Sequence, residues 1–214
     1  MEKLILRKAK LEDLDSMWNN IWQDKELAKY MLWKPVENIE EAKIRLEKTI
    51  EYQKSNLAFY ICLEESDEAI GFLGAANIGN GVFEDCGICI ANKYQGKGFG
   101  KQAMQLLLKM IFEELGEKEF IYSCFEENKK SQRLCESLGF EYKYTKQNTR
   151  KWDGLNYTAK YYLKKSRTDP RQQFTLKQKT CWVFYDTKRI LAGIGGDAKR
   201  VRSTGREGKP RKAR

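Results

Sequence analysis

The stretch Gln95-Gly96-Lys97-Gly98-Phe99-Gly100-Lys101 places three glycines in five residues, directly before a strongly amphipathic run. Met104, Leu107, Leu108, Ile111 and Leu115 recur at helical spacing, and Gly116 supplies a stop. A loop of this kind must turn the chain sharply into the helix. It also leaves backbone N–H groups open at the positive end of the helix dipole. Lys97 and Lys101 add charge. The pattern points to an anion site shaped for phosphate.

Two common phosphate motifs fail on this stretch. A Walker A loop ending in Gly100-Lys101 needs Gly at 95 and Ser or Thr at 102, and both positions are Gln. A dinucleotide fingerprint needs glycines at 96, 98 and 101, and position 101 is Lys. The loop also lies mid-chain, behind a run of strands.

Periodicity supplies the surroundings. Leu4-Ile-Leu-Arg7 reads as a first strand, and Leu11 to Trp18 as a helix. A second helix is predicted over Ile39–Gln53, capped by Asn38, with Glu40 and Glu41 in its first turn. Leu57–Leu63, Ala69–Ala76 and Val82–Ile90 then read as an antiparallel meander. Ser66-Asp67 and Gly79-Asn80-Gly81 punctuate it. After the loop and its helix come a strand (Phe120–Cys124), a helix (Lys129–Leu138, ended by Gly139) and closing strands (Phe140–Thr145, Tyr157–Leu163). The order predicts an α/β domain with a mixed sheet.

Composition narrows the chemistry. The chain of 214 residues is 41% hydrophobic and 12% aromatic, enough for a sizeable core. Histidine is absent, which excludes Ser-His-Asp and Cys-His catalysis and His-ligated zinc. The net charge of +10 resides in residues 167–214, which hold 14 Lys/Arg against 4 Asp/Glu, so residues 1–166 are neutral. Residues 167–214 read as a basic, largely disordered tail with one sticky segment, Cys181-Trp-Val-Phe-Tyr185. Nucleic-acid binding is expected only through that tail, as a secondary reading behind an extension without such a role.

The six cysteines mostly sit in apolar runs and read as reduced, buried thiols. Cys86-Gly-Ile-Cys89 lies on a strand, where residues three apart face opposite sides, so neither a shared metal nor a redox pair is expected. No 18-residue apolar run and no signal-peptide core occur, which gives the expectation of a cytoplasmic protein without a membrane span.

The flanks of the loop carry a resemblance. Gln95-x-x-Gly98-x-Gly100, preceded by Cys86-Gly-Ile-Cys-Ile90, resembles the acetyl-CoA pyrophosphate loop of the GNAT N-acetyltransferase family. Asn128-Lys-Lys-Ser131 before Leu134-Cys-Glu-Ser-Leu-Gly139-Phe140 resembles that family's second signature. Leu4–Arg7, Leu32-Trp-Lys-Pro35 and Trp152-Asp-Gly154 are similar to its RimJ/RimL branch. The resemblance covers residues 1–166 and implies the GNAT acetyl-CoA-binding fold: a mixed, mostly antiparallel central sheet flanked by helices, with splayed central strands.

It further implies an enzyme moving acetyl from acetyl-CoA to a primary amine, a protein N-terminus or a small amine, by direct attack in a ternary complex. Gln95, Gly96, Lys97, Gly98, Phe99, Gly100 and Lys101 correspond to the pyrophosphate loop. Ile88, Cys89, Ile90 and Asn128 correspond to the pantetheine contacts, with Ser131 beside them. Lys130 and Arg133 read as a solvated helix face ahead of a 3′-phosphate contact. The family often draws its base from the strand before the loop, which puts Asp85 ahead of its neighbour Glu84. Many members carry Tyr where this chain has Cys135, and the RimJ/RimL branch points to Ser131 as the acid, ahead of Cys135. Trp33 is the expected acceptor-pocket wall, whereas Trp18 and Trp22 read as core. No metal is expected, and dimerisation is common in the family. The alternative reading is a non-catalytic CoA-binding or scaffold protein whose tail binds RNA or anionic surfaces.

Overall fold

A computed structural model describes residues 2–167. The basic tail and Cys181–Tyr185 therefore lie outside the described residues, apart from Arg167.

Seven strands form one sheet: β1 (Leu4–Arg7), β2 (Leu57–Leu63), β3 (Ala69–Gly79), β4 (Val82–Ile90), β5 (Glu119–Phe125), β6 (Glu141–Thr149) and β7 (Asn156–Lys165). Their order across the sheet is β1-β2-β3-β4-β5-β7-β6. Only β4 and β5 run parallel; the other neighbours are antiparallel. The expected meander is β2-β3-β4. Its β3–β4 turn is Asn80-Gly81, with both φ angles positive as a tight two-residue hairpin requires.

Helices cover both faces. The first helical segment is longer than its periodicity indicates. A 3₁₀ turn at Leu11–Asp13 leads into α1 (Leu14–Met17), and a π turn at Trp18–Trp22 follows. The chain continues through α2 (Lys25–Ala28) to α3 (Ile39–Ser55). Asn38 caps α3, its Oδ1 accepting from the Glu41 N–H at 2.9 Å. On the other face lie α4 (Phe99–Lys109), extended by a π turn at Met110–Glu114, and α5 (Lys129–Ser137).

Alternation along the strands feeds two cores. Ile61 and Leu63 join Met104, Leu107, Ile111 and Phe120 under α4. Tyr60 and Cys62 join Met17, Trp22, Ala42 and Leu46 under α1 and α3. The result is a helix–sheet–helix sandwich. Four of the five described cysteines are buried and none is paired; Cys86 is exposed.

One expectation is corrected. Leu73 of β3 lies opposite Ile88, and Ala75 opposite Asp85, so Cys86 and Gly87 together face a single residue. This bulge resets the alternation. Cys86 lies beside Tyr52 of α3, and Cys89 packs in the α1/α3 core. Both thiols therefore turn to the same side of the sheet. Among the described residues no group of three or more His, Cys, Asp or Glu gathers.

Candidate active site

The parallel pair at the centre of the sheet is short. β4 and β5 are in register only at Val82, Phe83 and Glu84, opposite Glu119, Phe120 and Ile121. Past Glu84 the two strands splay and leave a cleft. The Ala91 N–H donates to Ile70 O at 2.9 Å. By antiparallel alternation Cys89 then turns its backbone to Phe72 of β3, while Ile88 and Ile90 present theirs to the cleft. Cys89 also buries its thiol in the α3 core. Of the three strand residues named from the sequence, two face the opening.

The glycine loop closes one end of this cleft. Gln95 braces it: its Nε2 donates to Ile90 O at 3.0 Å and to Asn92 Oδ1 at 3.1 Å. Its Oε1 accepts from Lys130 Nζ at 3.0 Å, tying the loop to α5, and its backbone N–H donates to Asn92 O at 3.2 Å. Gln95 is thus a scaffold residue, and Lys130 has a structural partner. Gly98 is the N-cap of α4 with φ +84, a conformation that L side chains rarely adopt, and no side chain caps the helix. The first helical donor with a partner is the Gln102 N–H, to Gly98 O at 3.1 Å. The N–H groups of Phe99, Gly100 and Lys101 precede it. The Phe99 ring is buried beside Tyr94, so this residue offers only its backbone. Lys97 holds its ammonium over the Tyr94 ring.

Asp85 lies at the Gly87 bulge. The Gly87 N–H, at a residue with φ +105, donates to Asp85 Oδ1 at 2.9 Å. Burial pushes the Asp85 carboxyl up to about 7, opposed by the N–H groups of Gly87 and Ser123 and reinforced by the Glu84 charge. A hydrogen bond to Ser123 of β5 places Asp85 across the splay. Glu84 points to the opposite face of β4, which leaves Asp85 as the carboxylate of the cleft.

On the far wall, the Tyr122 and Ser131 hydroxyls are 2.6 Å apart. Asn128 is the N-cap of α5, its Oδ1 accepting from the Ser131 N–H at 3.1 Å. This fixes the serine at the first turn and leaves the Asn128 amide NH₂ uncommitted. Tyr122 is fully buried; burial and the Asp85 charge hold its hydroxyl well above the usual phenol range. Tyr122 was not singled out from the sequence. The available signal was a polar tip in the otherwise apolar strand Phe120-Ile-Tyr-Ser-Cys124. Cys135 is a correction: it is 1% exposed, its Sγ donates to Gln132 O at 3.2 Å, and burial pushes its thiol up to about 12. It packs in the α4/α5 core beneath Tyr122, its thiol held by the Gln132 carbonyl.

Trp33 is also turned inward, packed on the α1/α3 core with its indole N–H buried and unpartnered. A cavity of about 570 Å³ is walled instead by Trp18, Lys29, Pro35, Arg150 and Trp152. Arg150 holds this mouth in shape. Its Nη1 donates to Ala28 O, Lys29 O and Met31 O at 3.1–3.2 Å, and its Nε donates to Asp153 Oδ1 at 3.0 Å. The β6–β7 turn is thereby pinned to the carbonyl end of α2.

Comparison with known proteins agrees with this architecture. The acetyltransferase (GNAT) domain model matches residues 3–141. An uncharacterized N-acetyltransferase, p20 of Bacillus licheniformis, is 33% identical over 144 residues, 65% of this chain and 80% of that protein. A GNAT-family acetyltransferase structure from Bacillus anthracis superposes with a TM-score of 0.67 at 22% identity, covering 77% of this chain and 95% of that one. A GCN5-related N-acetyltransferase structure from Brucella melitensis gives 0.68 at 18% identity, covering 82% and 81%. The microcin C7 self-immunity acetyltransferase MccE, solved with acetyl-CoA and AMP, gives 0.66 at 23% identity, covering 77% and 93%. With its splayed parallel pair, uncapped glycine loop and matching domain model, the chain belongs to the GNAT acetyltransferase family.

Proposed function

We propose that this acetyltransferase is a RimJ/RimL-type N-acetyltransferase, transferring acetyl to a primary amine by direct attack in a ternary complex. The observation that carries the reading is Asp85, a carboxyl held near neutrality, in a cleft whose end is an uncapped helix N-terminus. The loop fits a diphosphate. Gly96 and Gly98 leave open space where side chains would stand, and the following amides lack protein partners. Ile88, Ile90 and Asn128 line the path for the pantetheine arm. Acetyl-CoA supplies the activated thioester.

An amine is protonated near pH 7 and must lose a proton to attack. Asp85 is the base, with a pKa matched to that task. Unpaired N–H groups on the splayed part of β4 are the donors for the developing oxyanion. Ser131, held by Tyr122 and Asn128, passes a proton to the departing thiolate and takes one back from water, while Asp85 returns the amine's proton to solvent. The acceptor enters from the α1/α3 side, beside Trp18, Arg150 and Trp152. Four buried, unpaired thiols suit a reducing cytoplasm.

Calorimetric titration of acetyl-CoA into the full chain tests the site. Micromolar binding that is weakened at least tenfold by Gly98→Val supports it. No binding by the wild-type chain overturns it.

A further inference from the structure

A second cavity, of about 460 Å³, lies along α3 on the side of the sheet away from α4 and the glycine loop. Val36, Ile44, Arg45, Lys48, Thr49 and Tyr52 help to line it. Arg45 is its distinctive member. The guanidinium lies 4.7 Å from the Trp33 ring and 5.4 Å from the Trp22 ring, and its one hydrogen bond is from Nη1 to Lys34 O at 3.3 Å. It makes no ion pair among the described residues. Burial without a counter-charge lowers its pKa to about 10. A guanidinium is seldom left so.

The nearby charges do not supply the missing anion. Lys34 is paired with Glu37 at 3.0 Å. Glu41, the acid of the cavity wall, accepts from the Glu37 N–H at 3.2 Å. Lys48 has no ion pair among the described residues. Trp33 Nε1, beside Arg45, is buried without a hydrogen-bond partner, and the buried Tyr60 hydroxyl has only Thr49 near it. Tyr52, at one end of the cavity, neighbours Cys86, the residue after Asp85 on β4.

We propose that this cavity binds an anionic group of the acceptor, so that the enzyme acetylates small amines that also carry a carboxylate or a phosphate. The inference rests on the acetyltransferase reading above and names the substrate class. A planar guanidinium stacked on indoles keeps an edge free for bidentate contact with either anion. The position of the cavity separates it from the diphosphate loop, which opens on the α4/α5 side.

The test compares matched acceptors with the full chain: 6-aminohexanoate with hexylamine, and 3-aminopropyl phosphate with 3-aminopropanol. Free-thiol release and calorimetry are both read. The anionic member of at least one pair is used, or bound, at least tenfold better than its neutral mate, and the pair that discriminates identifies carboxylate or phosphate. Arg45→Gln removes that preference through KM and leaves acetyl-CoA affinity within twofold; Arg45→Lys retains part of it. Equal use of both members, or a preference that survives Arg45→Gln, overturns the inference. If the wild-type chain binds no acetyl-CoA, the acetyltransferase reading falls. Thermal shift with the four amines alone then decides the cavity: stabilisation by the anionic members that Arg45→Gln abolishes supports it, and no shift overturns it.

Discussion

The hydroxyls of Tyr122 and Ser131 lie 2.6 Å apart, joining the middle of β5 to the first turn of α5 at the far wall of the cleft. The buried phenol fixes the serine rotamer, and the Asn128 cap fixes its backbone. If Ser131 protonates the leaving thiolate, Ser131→Ala lowers kcat about a hundredfold, the lower end of general-acid effects. Acetyl-CoA affinity stays within twofold. Tyr122→Phe lowers kcat several-fold and costs about 1 kcal/mol of stability, the worth of one buried hydrogen bond. Steady-state kinetics with calorimetry checks both, and an unchanged kcat in Ser131→Ala removes the serine from the mechanism.

Asp85 makes the reaction pH-dependent in a stated direction. With its carboxyl near 7, kcat/KM rises with pH as the base ionises and levels off above neutrality. Asp85→Asn lowers kcat about a hundredfold and flattens that limb. A wild-type profile without an ionisation near 7, or an Asp85→Asn enzyme with unchanged turnover, would sink the assignment.

The same shift predicts a stability trend of opposite sense to that of an ordinary salt-bridged carboxylate. Asp85 is raised from 3.8 to about 7 on folding, so between those values the folded chain holds a proton that the unfolded chain has lost. Its contribution to stability is therefore fully present below about pH 4 and declines as pH rises towards 7. Asp85→Asn removes this decline. Urea titrations at pH 5 and pH 8 should show the variant gaining on the wild type at the higher pH.

Arg7, Asp13 and Asp67 tie β1 to the first helical turn. Arg7 Nη2 reaches Asp13 Oδ1 at 2.6 Å, and Asp13 is 2% exposed. Asp13→Asn leaves the guanidinium short of its buried partner and destabilises the fold by about 3 kcal/mol. The shift of the urea midpoint measures it. Activity per folded molecule is expected to stay unchanged, because this cluster lies away from the cleft residues.

Local pattern in the sequence determined much of this protein. Glycines at 96, 98 and 100 before a period-3.6 run specified the loop and α4; at 96 and 98 the backbone has φ of +79 and +84, which glycine alone adopts without strain. Asn38 announced the start of α3, and Asn80-Gly81 a tight turn. The absence of histidine confined base catalysis to other groups. Tertiary structure decided what depends on residues far apart in the chain. The bulge at Gly87 turned Cys86 to the same side as Cys89, because one extra residue resets a period of two. The end of the β4–β5 ladder at Glu84 put Asp85 within reach of the Ser123 N–H, which opposes the rise in pKa that its burial causes. Packing turned Cys135 and Trp33 inward, where spacing alone treats a buried side chain and a cleft side chain alike. It also stacked Arg45 on Trp22 and Trp33 without a counter-charge, a relation that three segments create and none of them encodes alone.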